Sequence, residues 1–409
     1  MRAPASLPDA VAAAVAAGTA APTGVEHVAC VAATGRVAAA DVVAPVSLPG
    51  FDGSAMDGYA VRAADTAAAG DGAPVVLALV DEARAGRPAT GTIGAGQALR
   101  ISTGARISGG ADAVVRVEDA EESDAAVVLR RPVAAGNDVR RAGEDVARGD
   151  VVVRCGDRLH PGRAALLAGL GIATVAVRRP PTVSVLVTGD EVTPTGRPLP
   201  PGGVHDVHGT ALPALLAAAG CGPVDVAHVG DDPDATLEAL RSAAGDLVVA
   251  CGGLSVGRHD HVRRAFAAVG VREIVAGVRM KPGAPTALGV LPGPTGARPV
   301  LGLPGNPSAA LVGAVLLAVP IVRAMRGAPP AGPEHARLAV DVRGTPDRHR
   351  VLWARLAVDD DALLVARPAA LQHSHRLRTP AGSDALVIVP PGPEHRAGTI
   401  VPVLRLPGA

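Results

Sequence analysis

Residues 182–327 alternate between short apolar runs and longer amphipathic segments. An apolar run of about four to eight residues bounded by turn residues is typical of a buried strand, whereas apolar residues at every third or fourth position are typical of a helix. The pattern places strands at 182–187, 224–229, 246–250, 273–277 and 299–303, and helices at 210–219, 233–243, 260–269 and 308–326. Such alternation predicts a doubly wound parallel α/β domain over residues 181–327, with helices on both faces of the sheet.

The regions on either side have a different pattern. Residues 47–140 contain short β-branched runs separated by Gly- and Pro-rich turns, which predicts a turn-rich β domain. Residues 332–409 contain short strands between turn residues, which predicts a small all-β, barrel-like domain. The segments 1–46 and 141–180, with an Ala-rich helix at 8–17, then form an extended linking domain. The fold class is therefore multidomain α/β plus β.

The composition argues against two classes of partner. Net charge is zero and the chain has one Trp, one Tyr and two Phe, so it lacks both the positive field and the aromatic platforms that nucleic-acid binding uses. Residues 300–322 carry no formal charge, but the PGNP turn leaves about 15 apolar residues after it, fewer than the ~20 that a membrane span needs. We expect neither nucleic acid nor membrane as a partner.

The cysteines and the first residues bear on the compartment. The four cysteines lie far apart with no C-x-x-C pair, which fits a reduced, cytoplasmic setting and argues against a thiolate zinc site. The apolar start of the chain contains Asp9 and two early prolines, which are unfavourable in the apolar region of a signal peptide. We therefore predict a cytoplasmic protein.

Four loops that follow predicted strands are rich in glycine or polar residues. They read TGDE at 188–191, GDD at 230–232, CGGLSVG at 251–257 with Asp260 beyond it, and PGNP at 304–307. The carboxyl ends of parallel strands lie along one edge of the sheet, where ligands bind in open α/β folds. Glycine-rich turns favour phosphate, whereas Glu191, Asp231 and Asp260 favour a divalent cation. The edge therefore predicts a Mg²⁺-dependent site for a phosphorylated or nucleotide-bearing ligand.

Some of these residues also have an ordinary structural interpretation. Asp232 precedes a helix that begins with proline and is typical of a helix cap, and Asp190 is either a brace of its loop or a ligand. The histidines of the loops lack the spacing of metal ligands, so we interpret them as solvated or hydrogen-bonded. They are His205, His208, His259 and His261.

Lys281 is the only lysine among 39 lysine and arginine residues. Its ammonium is a compact point charge, whereas a guanidinium is a planar fork, so the two are not interchangeable at an anion site. Lys281 is either an isolated surface residue or a ligand for a phosphate or oxyanion. The Gly-rich turns on both sides of it in the sequence favour the second interpretation.

Seven motifs occur along the chain: SLPGFDGSAMDGYAVR, STGARISGGADAVV, RRAGEDV, VTGDEV, CGGLSVGRHD, MKPGAP and LPGNPSAA. In order and spacing they resemble the MoeA family, the molybdopterin molybdenumtransferases, which are related to the E domain of gephyrin. The resemblance implies the last step of molybdenum cofactor synthesis, in which adenylylated molybdopterin and molybdate react with Mg²⁺ to give the cofactor and AMP. It also implies a homodimer, held by the linking segments, in which the α/β domain of one subunit faces the turn-rich domain of the other.

The same resemblance implies roles for individual residues. Asp57, Glu191, Asp231, Asp260 and Lys281 match catalytic positions, and the three acids Glu191, Asp231 and Asp260 match positions that hold Mg²⁺. The substrate-binding positions are Thr103, Asp145, Gly252, Gly253, Ser255, Pro304, Gly305, Asn306, Pro307, Arg355 and Ser374.

The chain departs from the family pattern in a few places. Ala284 stands where KPGKP has its second lysine, His208 replaces the asparagine of D-x-N after Asp206, and Ser108 replaces a proline. The loss of a cation at 284 leaves three outcomes open: a weaker enzyme, an altered specificity, or compensation by Arg279. A molybdopterin-binding scaffold and a tungstate-inserting enzyme are the alternatives. A molybdopterin adenylyltransferase and apo-molybdoenzymes are the expected protein partners.

Overall fold

The computed structural model describes residues 3–254, 261–293 and 296–408. They form two compact units, Met1–Ala40 with Cys155–His160 and Ala176–Ala409, and Asp41–Arg154 with Pro161–Val175. The division into four domains that the sequence suggested stays a prediction.

The helices predicted at 8–17, 210–219, 233–243 and 260–269 agree with the structure to within a few residues at each end, whereas the short helix at 378–381 was not predicted. The described residues contain eight α-helices. They are α1 Leu7–Thr19, α2 Pro161–Gly169, α3 His208–Ala218, α4 Pro233–Ser242, α5 Val262–Ala268, α6 Pro307–Gly313, α7 Val319–Met325 and α8 Arg378–Ala381. Asp232 caps α4, because its side chain accepts from the amide of Ala235, so the interpretation of Asp232 as a cap is confirmed.

The strands before the α/β domain are short. They are β1 Val25–Ala29, β2 Val42–Val43, β3 Gly53–Ser54, β4 Gly58–Val61, β5 Val75–Ala83, β6 Gln97–Ile101, β7 Ala113–Arg116, β8 Ala120–Ser123, β9 Ala126–Leu129, β10 Val139–Arg140, β11 Val151–Val153 and β12 Thr174–Arg178. In the second unit, six of them form a sheet in the order β7-β4-β6-β5-β9-β8. Its buried face contains Tyr59, Leu77 and Leu129, so this unit has an apolar core of its own.

The strands of the α/β domain are β13 Val183–Thr188, β14 Val192–Thr193, β15 Val204–His205, β16 Val224–Val229, β17 Leu247–Cys251, β18 Arg272–Val275, β19 Met280–Lys281, β20 Ala287–Gly293 and β21 Gly296–Leu303. The main sheet has the order β16-β13-β17-β21-β20-β18. Its first four strands are parallel, as the alternation predicted. The sheet differs from the prediction at one edge, where β20 forms an antiparallel hairpin with β21 and β18 pairs antiparallel with β20.

Helices cover both faces of this sheet, which confirms the doubly wound arrangement. One face packs α1, α3, α6 and α7 against the strands through residues such as Leu7, Leu212 and Ile321. The other face packs α4 and α5 through Leu240 and Phe266. The core is aliphatic because aromatic residues are scarce, so its helices and strands pack through Ala, Val and Leu.

The predicted helix 308–326 is interrupted in its middle. Residues Ala314–Ala318 form one π-helical turn between α6 and α7. Pro320 has no amide hydrogen to donate to the preceding turn, and a local widening of this kind accommodates such a break. The whole apolar stretch Pro307–Met325 has the length and hydropathy of a membrane span, but 78% of its most apolar window is buried inside the protein. It is a core helix.

The strands of the C-terminal region are β22 Glu334–Leu338, β23 Val342–Arg343, β24 His349–Val358, β25 Leu364–Pro368, β26 Ala385–Val389, β27 Glu394–His395 and β28 Ile400–Arg405. Five of them run in the order β24-β25-β22-β28-β26, and β26 pairs again with β24. This closes a five-stranded barrel, as the sequence predicted. Strand β19 of the α/β region pairs with β24 from outside the barrel.

Two hydrogen bonds connect the barrel to the start of α6. The indole Nε1 of Trp353 in β24 donates to Oγ of Ser308 at 2.7 Å, and the amide of Ser308 donates to the carbonyl of Ser374 at 3.0 Å. Trp353 and Ser308 are both only 2% exposed. Since buried polar groups are costly to leave unpaired, these bonds fix the barrel against the PGNP turn.

The substitution Trp353→Phe tests this connection. We expect it to lower the free energy of unfolding by about 1–3 kcal/mol, because the buried Ser308 hydroxyl loses its donor. Urea unfolding of the variant, of Ser308→Ala and of the double variant measures it. If Trp353→Phe costs as much in the Ser308→Ala background as in the wild type, the hydrogen bond is not the source of the effect.

Candidate active site

The carboxyl ends of β13, β17 and β21 border a cavity of about 920 Å³. The segment 204–208 forms another part of its wall, and the barrel contributes His375 and Leu377. Eight predicted site residues line it: Glu191, Asp231, Gly252, Gly253, Pro304, Gly305, Asn306 and Pro307. The parallel strands thus bring together loops that are more than one hundred residues apart in the sequence.

Gly252 and Gly253 give the loop after β17 its shape. Both have positive φ, +94° and +60°, which other residues rarely adopt. A Cβ on Gly252 would also lie 2.5 Å from Oγ1 of Thr188 on the neighbouring strand. The loop can therefore pass close to β13 only with glycine at this position.

The PGNP turn leads directly into α6. Asn306 is the N-cap residue in an extended conformation, and Pro307 occupies the first helical position. The next amide, that of Ser308, is already bonded to the barrel. The residues of the turn therefore form part of the cavity wall, and the Ser308 amide is engaged within the protein.

Glu191 and Asp231 are the two described acids of the predicted metal set. Both line the cavity, and within the described residues neither carboxylate has a hydrogen bond or ion pair. Asp190 stabilises the loops at this edge of the sheet, because its Oδ1 accepts a hydrogen bond from the amide of Asp231 at 3.0 Å. No group of three metal-ligating side chains occurs among the described residues. One or two carboxylates completed by substrate phosphates are the usual ligands of Mg²⁺, so the pair fits that ion.

Ser255 and Asp260 lie outside the described residues. Three other predicted residues lie on the barrel or beside it. Lys281 is exposed in β19, Nε of Arg355 donates to the carbonyl of Gly382 at 2.8 Å, and Ser374 bonds Ser308 through its carbonyl. None of these three lines the described cavity, whereas His375, next to Ser374, does.

The remaining predicted residues belong to the second unit. Oδ1 of Asp57 accepts from the amide of Thr103 at 2.7 Å, so the two early turns are in contact. The backbone amide of Asp145 donates to the carbonyl of Leu48 at 3.1 Å. Nearby, the Ala142 amide and the Arg141 guanidinium hold the pKa of the Asp52 carboxyl below its usual range.

Sequence reasoning missed Asp206 as a residue of the cavity wall and His228 as its hydrogen-bond partner. Asp206 lines the cavity, and its side chain is 5% exposed. His228, on β16, bonds to it through Nε2 at 2.8 Å. His208, at the departure from D-x-N, places Nε2 2.9 Å from the carbonyl of Gly305 and connects α3 to the PGNP turn. The interpretation of His208 as a hydrogen-bonding residue is confirmed.

The cavity has an unusual charge distribution for a site that accepts anions. Among its described lining residues, the acids are Glu191, Asp206 and Asp231, and no lysine or arginine is present. Carboxylates repel a phosphate unless a cation lies between them. The charge distribution therefore requires a cation for any phosphorylated ligand that enters.

Three family models match the chain. The MoeA N-terminal region, domains I and II, matches residues 5–171, and the MoeA C-terminal region, domain IV, matches residues 335–406. A model described as "Probable molybdopterin binding domain" matches residues 184–324, which include most of the cavity wall.

The chain also resembles characterised relatives over nearly its full length. It is 36% identical over 368 residues to molybdopterin molybdenumtransferase 2 of Mycobacterium tuberculosis, covering 88% of this chain and 89% of that protein. It is 33% identical over 382 residues to the molybdopterin molybdenumtransferase of Bacillus subtilis, covering 91% and 87%. The crystal structure of the molybdopterin biosynthesis MoeA protein from Pyrococcus horikoshii matches with a TM-score of 0.85 and 32% identity, covering 100% of both chains.

The substitution Gly252→Ala tests the shape of the loop. We expect it to destabilise the protein by more than about 1 kcal/mol, because the new Cβ meets Thr188 in a left-handed backbone conformation. Gly270→Ala is the matched control, since Gly270 has φ +85° and a Cβ there would have nothing within 4 Å. In thermal unfolding, the melting temperature of Gly252→Ala should be lower than that of Gly270→Ala. Equal melting temperatures would contradict the close approach of the Gly252 backbone to Thr188.

Proposed function

The chain belongs to the MoeA family of molybdopterin molybdenumtransferases, and we propose that it inserts molybdenum from molybdate into adenylylated molybdopterin with release of AMP. The observation that carries this proposal is the cavity at the carboxyl ends of β13, β17 and β21. It combines glycine-rich turns, which accept phosphate, with two carboxylates that have no partner within the described residues. A nucleotide-linked diphosphate and a divalent cation satisfy both features.

We assign Glu191 and Asp231 as the residues that would hold Mg²⁺, with Asp260 as a third candidate. When bound, the ion neutralises charge on the diphosphate and on the leaving AMP. Glu191 and Asp231 would hold the ion in the cavity that Gly252 and Gly253 also line. Asp190 supports them by holding the amide of Asp231.

The other motif residues are assigned to substrate binding and catalysis on the strength of the family pattern. Asp57 and Thr103 act as one unit, because the Asp57 carboxylate holds the turn that contains Thr103. Asp145, Ser255, Arg355 and Ser374 are assigned to substrate binding by the same pattern. Lys281 supplies a positive charge for the incoming oxyanion.

We propose that the protein acts as a cytoplasmic homodimer. The turn-rich unit of one copy completes the cleft formed by the α/β domain of the other, which brings Asp57 to the same substrate as Glu191. A molybdopterin adenylyltransferase supplies the substrate, and apo-molybdoenzymes accept the product. One observation favours a second candidate, a molybdopterin-binding protein with little turnover: Ala284 replaces a family lysine, and the described cavity wall has no lysine or arginine.

AMP release from adenylylated molybdopterin, with and without molybdate and Mg²⁺, separates the two candidates. We expect release that requires both, and we expect Glu191→Gln to lower kcat/KM by about 100-fold or more, because the phosphates lose their fixed cation. Asp234→Asn, an exposed acid on α4, is the control and should behave like the wild type. Tight binding of the substrate without molybdate-dependent release would favour the binding protein.

Subunit complementation tests the shared cleft. Asp57→Asn and Glu191→Gln homodimers should each be nearly inactive. After the two are mixed, dissociated and reassembled, half of the dimers are mixed and each has one intact cleft, so about a quarter of wild-type activity should return. If each cleft is built from a single subunit, mixing restores nothing.

A further inference from the structure

The wall of the proposed substrate cavity contains a buried carboxylate, that of Asp206, which is held by hydrogen bonds from Gly209 and His228. The Gly209 amide donates to Oδ1 at 2.9 Å and to Oδ2 at 3.1 Å, and Nε2 of His228 lies 2.8 Å from Oδ2. A Cβ on Gly209 would lie 2.2 Å from Oδ2, so the approach of the carboxylate depends on glycine at that position. The side chain is 5% exposed, yet it borders the cavity.

His228 lies near the carboxyl end of β16, where its side chain is 33% exposed. Strand β16 reads VDVAHV, and Val224, Val226 and His228 follow one another on the same face. Val226 on this face approaches Gly209 at the start of α3. From this face the His228 imidazole reaches the buried Asp206 carboxylate.

The hydrogen bonds leave Asp206 with capacity for one more donor. A carboxylate only accepts, so Nε2 of His228 carries the hydrogen of this bond. The two oxygens together can accept about four hydrogen bonds, and Gly209 and His228 account for three contacts. The remaining acceptor position is on Oδ1.

The remaining acceptor position selects the part of the substrate that can occupy it. A carboxylate repels phosphate and molybdate but accepts a hydrogen bond from an N–H group. Adenylylated molybdopterin has such groups on its pterin ring, while its phosphates belong with the carboxylate pair Glu191 and Asp231 and their cation. The two kinds of carboxylate in the cavity therefore suit different ends of the substrate.

We propose that His228 is a positioning residue for substrate binding, which holds the Asp206 carboxylate so that Oδ1 accepts a hydrogen bond from an N–H group of the bound pterin. This inference rests on the proposed function and names the residue pair that recognises the pterin end. Without the His228 donor, only the Gly209 amide holds the carboxylate, so the direction of the remaining acceptor position on Oδ1 is less restricted.

The test is the Kd of adenylylated molybdopterin, measured by titration calorimetry without molybdate, for the full-length protein and its variants. His228→Leu keeps much of the volume but removes the donor, and its Kd should rise about tenfold, which corresponds to ~1.4 kcal/mol. His228→Gln returns an N–H donor at a similar reach and should restore the Kd to within about threefold of the wild type. His335→Leu, the same substitution at an exposed histidine of β22, is the matched control and should leave the Kd unchanged.

A double-variant cycle separates positioning from a merely structural role. Asp206→Asn keeps the shape of the side chain, and it should raise the Kd; adding His228→Leu to it should raise the Kd no further, because both changes remove one interaction. If the two substitutions raise the Kd independently, so that their fold-changes multiply in the double variant, the proposal is wrong. So would a His228→Leu protein with wild-type Kd, or one that loses affinity only in proportion to a fall in melting temperature and is not rescued by glutamine.

Binding without molybdate also keeps this inference separate from the transfer reaction. A wild-type protein that binds the substrate but releases no AMP contradicts the proposed transferase while the His228 comparison can still support the pterin contact. Normal AMP release with no effect of His228→Leu on the Kd contradicts the pterin contact alone.

Discussion

The parallel pairing of β16, β13, β17 and β21 is the constraint on which the site depends. Its register places Thr188 opposite Val229 and Cys251 opposite Leu303, so all four strands end at nearly the same level. Each chain segment must then turn at one edge of the sheet, and the turns contain the acids, the glycines and the prolines of the cavity. A shift of register would move these loops apart without altering any of their sequences.

The sequence was sufficient to predict this edge because its signals are local. Strand and helix periodicity, the Asp232 cap and the glycines of the β17 loop can each be read within a few residues. The antiparallel edge is different, because β20 has no helix before β21 and only the pairing shows its direction. The Asp206–His228 pair was also beyond prediction, since its members are 22 residues apart and meet only when α3 packs on β16.

The histidines show why residue type alone misleads at such a site. His208 and His228 lie beside the cavity, and a metal site is the first hypothesis for several histidines near acids. Each of the two is instead engaged with one oxygen, on Gly305 or Asp206. In both cases the imidazole connects two elements of the cavity wall. Both histidines therefore contribute hydrogen bonds to the geometry of the site.

The location of the only lysine follows from the barrel. Lys281 pairs with Arg350 in β24, and Trp353, three residues further along the same strand, holds Ser308 beside the PGNP turn. Three residues of a strand span about 10 Å, so β24 sets the distance between the lysine backbone and the cavity edge. The role proposed for Lys281 requires its flexible side chain to carry the ammonium to an anion held at that edge. If Lys281 has this role, the barrel determines where its positive charge can reach, because β24 holds the backbone of the lysine.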